Sequence, residues 1–204
     1  MACGCNQSNI GLDLAMTQFP HISLVLGGAR SGKSLFAENL AEHMSSAMSM
    51  PKIYLATARA GDDEMADRID QHKKRRGPDW TTLEAPVELA QAIAAQANNH
   101  IILVDCITLW LTNLLLSDAD INAETDKLIE ASISASPHLI FVSNEVGNGI
   151  VPENALARRF RDEAGRTNQK LAAAADYVAL VTAGLPLDIK GRRPLDDEAK
   201  GPLA

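Results

Sequence analysis

From Pro20 onward, short apolar runs alternate with longer stretches of helical spacing, the pattern of a parallel sheet flanked by helices. Residues 22–26, 53–56, 101–104, 139–142 and 177–181 are rich in Val, Ile and Leu with little polar alternation, as strands covered on both faces should be. A further short strand is predicted near residues 81–83. Helical spacing predicts helices over 34–46, 62–75, 87–96, 122–135 and 154–175, most with a polar starter or a following breaker. In the last of these, Leu156, Phe160, Ala164, Thr167 and Leu171 fall on one face, which is expected to be buried opposite a charged face. No repeat or Pro/Gly-rich linker divides the chain. We assign a single α/β domain over 21–190, a loose extension over 1–20 and a tail over 191–204.

Composition narrows the class. With 204 residues and 46% hydrophobic content, the chain can bury a full core. Lys plus Arg number 19 against 26 Asp plus Glu, and a net charge of −7 argues against a general nucleic-acid binder. Any anionic ligand must therefore be held locally. The apolar stretch 101–116 is broken by Asp105, Thr108, Thr112 and Asn113, so no membrane span is expected. The first twenty residues hold no Lys or Arg and do not read as a signal peptide. Three cysteines, with Cys3 and Cys5 in the extension, make no disulfide framework, and a cytoplasmic location is expected.

Directly after the first apolar run stands Gly27-Gly28-Ala29-Arg30-Ser31-Gly32-Lys33-Ser34, which fits G-x-x-x-x-G-K-[ST] at every fixed position and leads into an amphipathic helix. Glycines let the backbone curl its N–H groups around phosphate oxygens, and the helix adds its positive end. Lys33 would supply a point charge to the outer phosphates and Ser34 a hydroxyl ligand to Mg²⁺. The sheet is thus expected to be of the P-loop NTPase type. Asp105 follows a buried run, where P-loop proteins keep the carboxylate that holds the metal; the alternative is that it caps a helix beginning near Thr108. The guanine-reading string N-K-x-D of regulatory GTPases is missing, since Asn168-Gln169-Lys170-Leu171 lacks the aspartate. The loop alone does not choose between a kinase and an ATPase.

Within 62–75, Met65, Ile69 and His72 share a helix face, and four cations, Lys73 to Arg76, follow. Spacing alone makes His72 an ordinary half-buried histidine beside a solvated basic run. A functional histidine here would be a nucleophile toward phosphorus, with the cations stabilising the developing charge.

The phosphate loop, Asp62-Asp-Glu-Met65, Arg68-Ile69 with His72, the block from Asp105 to Leu115, Ser143-Asn-Glu-Val-Gly147, Gly149-Ile-Val-Pro-Glu153, Arg159-Phe-Arg-Asp162 and Asn168-Gln169 occur in order. Together they closely resemble the bifunctional adenosylcobinamide kinase/adenosylcobinamide-phosphate guanylyltransferase family of cobalamin biosynthesis. The resemblance implies phosphorylation of adenosylcobinamide on its aminopropanol hydroxyl with ATP or GTP. Transfer of GMP from GTP through a guanylylated histidine, matched by His72, would then give adenosylcobinamide-GDP. It also implies that Gly27 to Ser34 bind triphosphate, that Thr57, Ala58 and Arg59 with Lys74, Arg75 and Arg76 lie against nucleotide, and that Glu84 and Asp105 contact it or its metal. A homotrimer is implied as well. One departure is local: members usually place proline directly after the arginine matched by Arg76, whereas here Gly77 intervenes before Pro78.

Other positions carry smaller expectations. Asp105 and Glu145 are both candidates for the base that takes the hydroxyl proton. Arg158, Arg159, Arg161 and Arg166 read as a solvated face with Arg159–Glu163 and Asp162–Arg166 pairs. Gly165 inside a helix hints at close packing or a kink. Trp110 and Leu111 are expected in the core or a subunit contact, with an exposed patch for the corrin ring as the alternative.

Overall fold

The computed structural model describes residues 19–58, 76–96 and 99–194. The strands are β1 Ile22–Gly27, β2 Lys52–Ala56, β3 Trp80–Glu84, β4 Ile101–Asp105, β5 His138–Asn144, β6 Tyr177–Thr182 and β7 Leu185–Lys190. The helices are α1 Lys33–Met48, α2 Leu89–Ala94, α3 Ile107–Leu116, α4 Ile121–Ser134 and α5 Ala155–Ala174. One seven-stranded sheet runs in the order β3-β2-β4-β5-β1-β6-β7, parallel throughout except for β7. The expected mostly parallel α/β sheet is therefore observed.

Alternate residues of each central strand feed two cores. Leu24, Leu55, Val104 and Phe141 pack on the side covered by α3, α4 and α5, where Trp110 and Leu128 complete the layer. Val25, Leu103, Val142 and Val181 face α1, whose Phe36, Leu40 and Met44 close the other side. Burial on both faces explains why these strands lack polar alternation. At their starts, α4 and α5 are capped by Asp120 and Asn154, whose Oδ1 atoms accept from Ala123 N and Ala157 N, each at 3.1 Å. Among the described residues no helix is long and apolar enough to cross a membrane.

Several expectations need correction. Helix α3, expected only as a helix beginning near Thr108, starts at Ile107 with Cys106 rather than Asp105 at its N-cap. The hairpin to β7 was missed; its turn residues Ala183 (φ 51) and Gly184 (φ 78) both take left-handed backbone, the geometry of a two-residue turn. Leu156 is 53% exposed, whereas Ala164, Thr167 and Leu171 are buried. Trp110, 1% exposed, and Leu111 are core, with Trp110 Nε1 donating to Val87 O at 2.7 Å, so no exposed patch forms there. Helix α5 runs unbroken through Gly165, and nothing lies within 4 Å of the Cβ it lacks, so no close packing explains it. Arg166 pairs with Glu163 and Arg161 with Asp162, each on its own face of the helix, rather than in the spacing the sequence offered. The predicted helix 62–75 and both chain ends, 1–18 and 195–204, lie outside the described residues.

Candidate active site

The parallel strands all point the same way, so their C-terminal ends gather Gly27, Ala56, Glu84, Asp105 and Asn144 along one edge of the sheet. At β1 the chain turns into the phosphate loop. Ser31 N donates to Gly28 O at 3.3 Å, and Phe36 N to Gly32 O at 3.0 Å. Gly32 takes φ +94, a conformation that side chains disfavour, and serves as the N-cap of α1 without any side-chain cap. No acidic residue occupies the first turn. The helix thus offers its first N–H groups and the positive end of its dipole to an anion.

Two contacts fix the loop from behind. A Cβ at Gly27 would stand 2.4 Å from Ser31 Oγ and 2.6 Å from Val181 O, so only glycine lets the curl form against β6. Gly184 N, in the β6–β7 turn, donates to Ser31 O at 2.8 Å. Lys33 is buried, and its Nζ donates to Gly28 O at 3.1 Å, across the loop it closes. Gly28, Ala29 and Arg30 are exposed, Ser31 and Ser34 half-buried. The Ser31 hydroxyl oxygen is buried without a partner in the protein. All eight loop residues are thus gathered in one cradle.

Asp105 ends β4, and β5 is the strand between it and the phosphate loop. Ser34 and Asp105 are hard oxygen donors, and among the described residues no group of three or more His, Cys, Asp or Glu could hold a metal by itself. Such a sparse set suits Mg²⁺, which keeps waters and takes further oxygens from substrate phosphates. Ser34, Asp105 and the loop therefore fit a nucleotide-borne Mg²⁺.

Around Asp105 a polar belt ties the strand ends together. Thr57 is fully buried, and its hydroxyl accepts from Cys106 N at 2.8 Å while donating to Cys106 O at 2.7 Å. Asn113 Nδ2 donates to Thr57 O and Pro86 O, each at 2.8 Å. Thr108 Oγ1 accepts from Asn144 Nδ2 at 2.6 Å, and Ser143 Oγ donates to Asn168 Oδ1 at 2.7 Å. These residues fall inside the sequence blocks after Asp105 and around Ser143, but sequence reading gave none of them but Thr57 a role. Burial pushes the Cys106 thiol up, and the Asp105 charge adds to it, so the sulfur stays protonated and unreactive.

Arg76 is brought to the same region. Its guanidinium Cζ lies 3.3 Å from the centroid of the Tyr54 ring, a stacked cation–π contact. Burial first, then the Asp105 carboxylate, raise the Tyr54 hydroxyl far above its ordinary range, with Arg76 opposing. Tyr54, a residue the sequence reading passed over, thus links Arg76 to Asp105. Gly77 follows with φ +74 and turns the chain toward β3, so the glycine before Pro78 is absorbed in a turn.

Ala58 follows Thr57, half-buried at the same edge. Glu84 is not brought to the phosphate loop: it is exposed on the outermost strand, four strands from β1, or about 19 Å at the usual spacing. Glu145 Oε1 accepts from Gly147 N at 2.6 Å, and its own N–H donates to Gly27 O at 3.0 Å. His72, Arg59, Lys74 and Arg75 lie outside the described residues.

A family model described as cobinamide kinase / cobinamide phosphate guanyltransferase matches residues 23–189, which include the loop and the whole polar belt. The chain belongs to this family. It is 47% identical over 171 residues to the bifunctional adenosylcobalamin biosynthesis protein CobP of Pseudomonas aeruginosa, a match covering 82% of this chain and 96% of that one. The corresponding CobU of Escherichia coli is 45% identical over 183 residues, covering 82% and 98%. Among solved structures, the flagellar accessory protein FlaH from Methanocaldococcus jannaschii matches with a TM-score of 0.50 at 12% identity, over 89% of this chain and 85% of that one. That likeness speaks for the fold alone. Family membership makes this chain a kinase and guanyltransferase, the choice that the loop alone left open.

Proposed function

We propose that the chain phosphorylates the aminopropanol hydroxyl of adenosylcobinamide with ATP or GTP and then converts the product to adenosylcobinamide-GDP with GTP. The observation that carries this reading is the uncapped phosphate cradle of Gly27 to Ser34 set two strands from Asp105, in a chain of the cobinamide kinase family. In the first step the acceptor oxygen bonds to the γ-phosphorus, the bond to the β–γ bridging oxygen breaks, and the hydroxyl proton leaves to a base. Lys33 and the α1 N–H groups hold the transferring charge. Mg²⁺, held by Ser34 and Asp105, supplies charge neutralisation on the phosphates.

In the second step a neutral His72 ring nitrogen bonds to the α-phosphorus of GTP and pyrophosphate leaves. A phosphate oxygen of adenosylcobinamide phosphate then displaces the histidine. Arg59, Lys74, Arg75 and Arg76 would contribute positive charge to nucleotide binding, with Thr57 and Ala58 setting the strand end and Glu84 on the outer side. We assign the chain to the cytoplasm and to a homotrimer. The outward apolar row Leu185, Leu187 and Ile189 on edge strand β7 supports assembly.

Incubation with GTP labelled at the α-phosphate tests the reading. The wild type should retain an acid-labile GMP adduct, and His72→Asn should lose it while still forming adenosylcobinamide phosphate. Equal loss of both activities from a folded variant would remove His72 from this role.

A further inference from the structure

The chain leaving β5 starts against the phosphate loop. That strand pairs with β1 on one side and β4 on the other, so Asn144 and Glu145 stand between the phosphate loop and Asp105. The Glu145 N–H bond to Gly27 O fixes the first residue of the following segment against the loop itself. Ile150 follows Glu145 by five residues and so lies within about 18 Å of it.

The segment is apolar where it faces outward. Ile150 is 97% exposed, Val151 60% and Leu156 53%. The residues between Val151 and Leu156 are tied to α5: Arg158 Nη1 reaches back to Pro152 O at 2.9 Å and Glu153 O at 2.6 Å, and Asn154 caps the helix. Two adjacent β-branched side chains fixed in water lose hydrophobic free energy with no return inside this chain. A small alcohol would not cover them, whereas a macrocycle would.

We propose that Ile150, Val151 and Leu156 seat the corrin ring of the acceptor, leaving its aminopropanol arm to reach the phosphate loop. This rests on the kinase reading above.

The test compares wild type with the double variant Ile150→Ser, Val151→Ser, and with Ile133→Ser, an exposed isoleucine in the last turn of α4, as control. The expected result is a KM for adenosylcobinamide raised by about tenfold or more. Saturated turnover, affinity for a non-hydrolysable triphosphate analogue and sedimentation should stay unchanged. The ring-free acceptor 1-amino-2-propanol should be used equally poorly by wild type and variant. An unchanged KM, or a KM change that follows only from altered sedimentation, overturns the proposal, the latter by assigning the surface to a second copy. If the wild type itself phosphorylates no corrinoid, the functional reading fails instead.

Discussion

Thr57 Oγ1 holds the backbone of Cys106 from both ends, taking its N–H and giving its own proton to its carbonyl. One side chain at the end of β2 thereby fixes the residue after Asp105 on β4. Both bonds are buried; the Cys106 carbonyl also accepts from Trp110 N at 3.2 Å, so deleting the hydroxyl leaves the Cys106 N–H unsatisfied, at a cost of about 1–3 kcal/mol.

Thr57→Val should therefore lower stability by about 2 kcal/mol and the melting temperature by roughly 4–8 °C. Thr57→Ser keeps the hydroxyl and should restore most of the loss. Thermal unfolding of the three proteins measures this; equal melting of the valine and serine variants would mean that packing, not the hydrogen bonds, matters at this position.

Gly27→Ala places a methyl group 2.6 Å from Val181 O, a backbone atom held in β6 that cannot swing aside. Overpacking should cost about 1–3 kcal/mol. The curl of the loop should open with it, weakening a triphosphate analogue at least about tenfold in a titration. A Cβ on Gly28 meets nothing within 4 Å, so Gly28→Ala should leave the melting temperature in place. A Gly27→Ala protein that melts and binds like wild type would refute the contact argument.

The central strands and the phosphate loop were legible because each carries a strong local signal. Runs such as Ile101 to Val104 are buried on both faces, and the loop glycines have conformational reasons to be glycine. Of helix α3 only the start was legible, because Ile107 to Leu116 is apolar at most positions, which weakens helical periodicity. Strand β7 was hidden by the opposite condition, since its apolar residues are exposed and resemble a surface tail. The polar belt was not legible in role. Asn144 meets Thr108 across 36 residues and Asn113 meets Thr57 across 56, and a spacing that long leaves no trace in a local pattern.

Gly165 yields a prediction of the opposite sign to Gly27. It sits inside α5 with open space where a Cβ would be, so glycine there contributes only backbone entropy to the unfolded chain. Gly165→Ala should stabilise the protein by about 0.8–1 kcal/mol and raise its melting temperature by roughly 2–4 °C. A fall in melting temperature would show that the glycine is needed for a contact made outside this chain.

At the other edge of the sheet, His138 begins β5 with Nδ1 2.8 Å from Pro20 O and its ring edge-on to His21. Burial lowers its pKa below the ordinary 6.5, reinforced by the neighbouring His21 and opposed by the Pro20 carbonyl and the Asp176 carboxylate. The folded chain thus prefers the neutral ring, while the unfolded chain takes up a proton as pH falls through about 6.5. The stability this group contributes is complete above that pH and is lost as pH falls toward the folded value. His138→Asn retains an N–H for Pro20 O without a titrating ring. Urea unfolding at pH 7.5 and 5.5 should show a smaller loss of stability for this variant than for wild type. Parallel losses in the two proteins would place the pH dependence on other groups, with His21 the next to test.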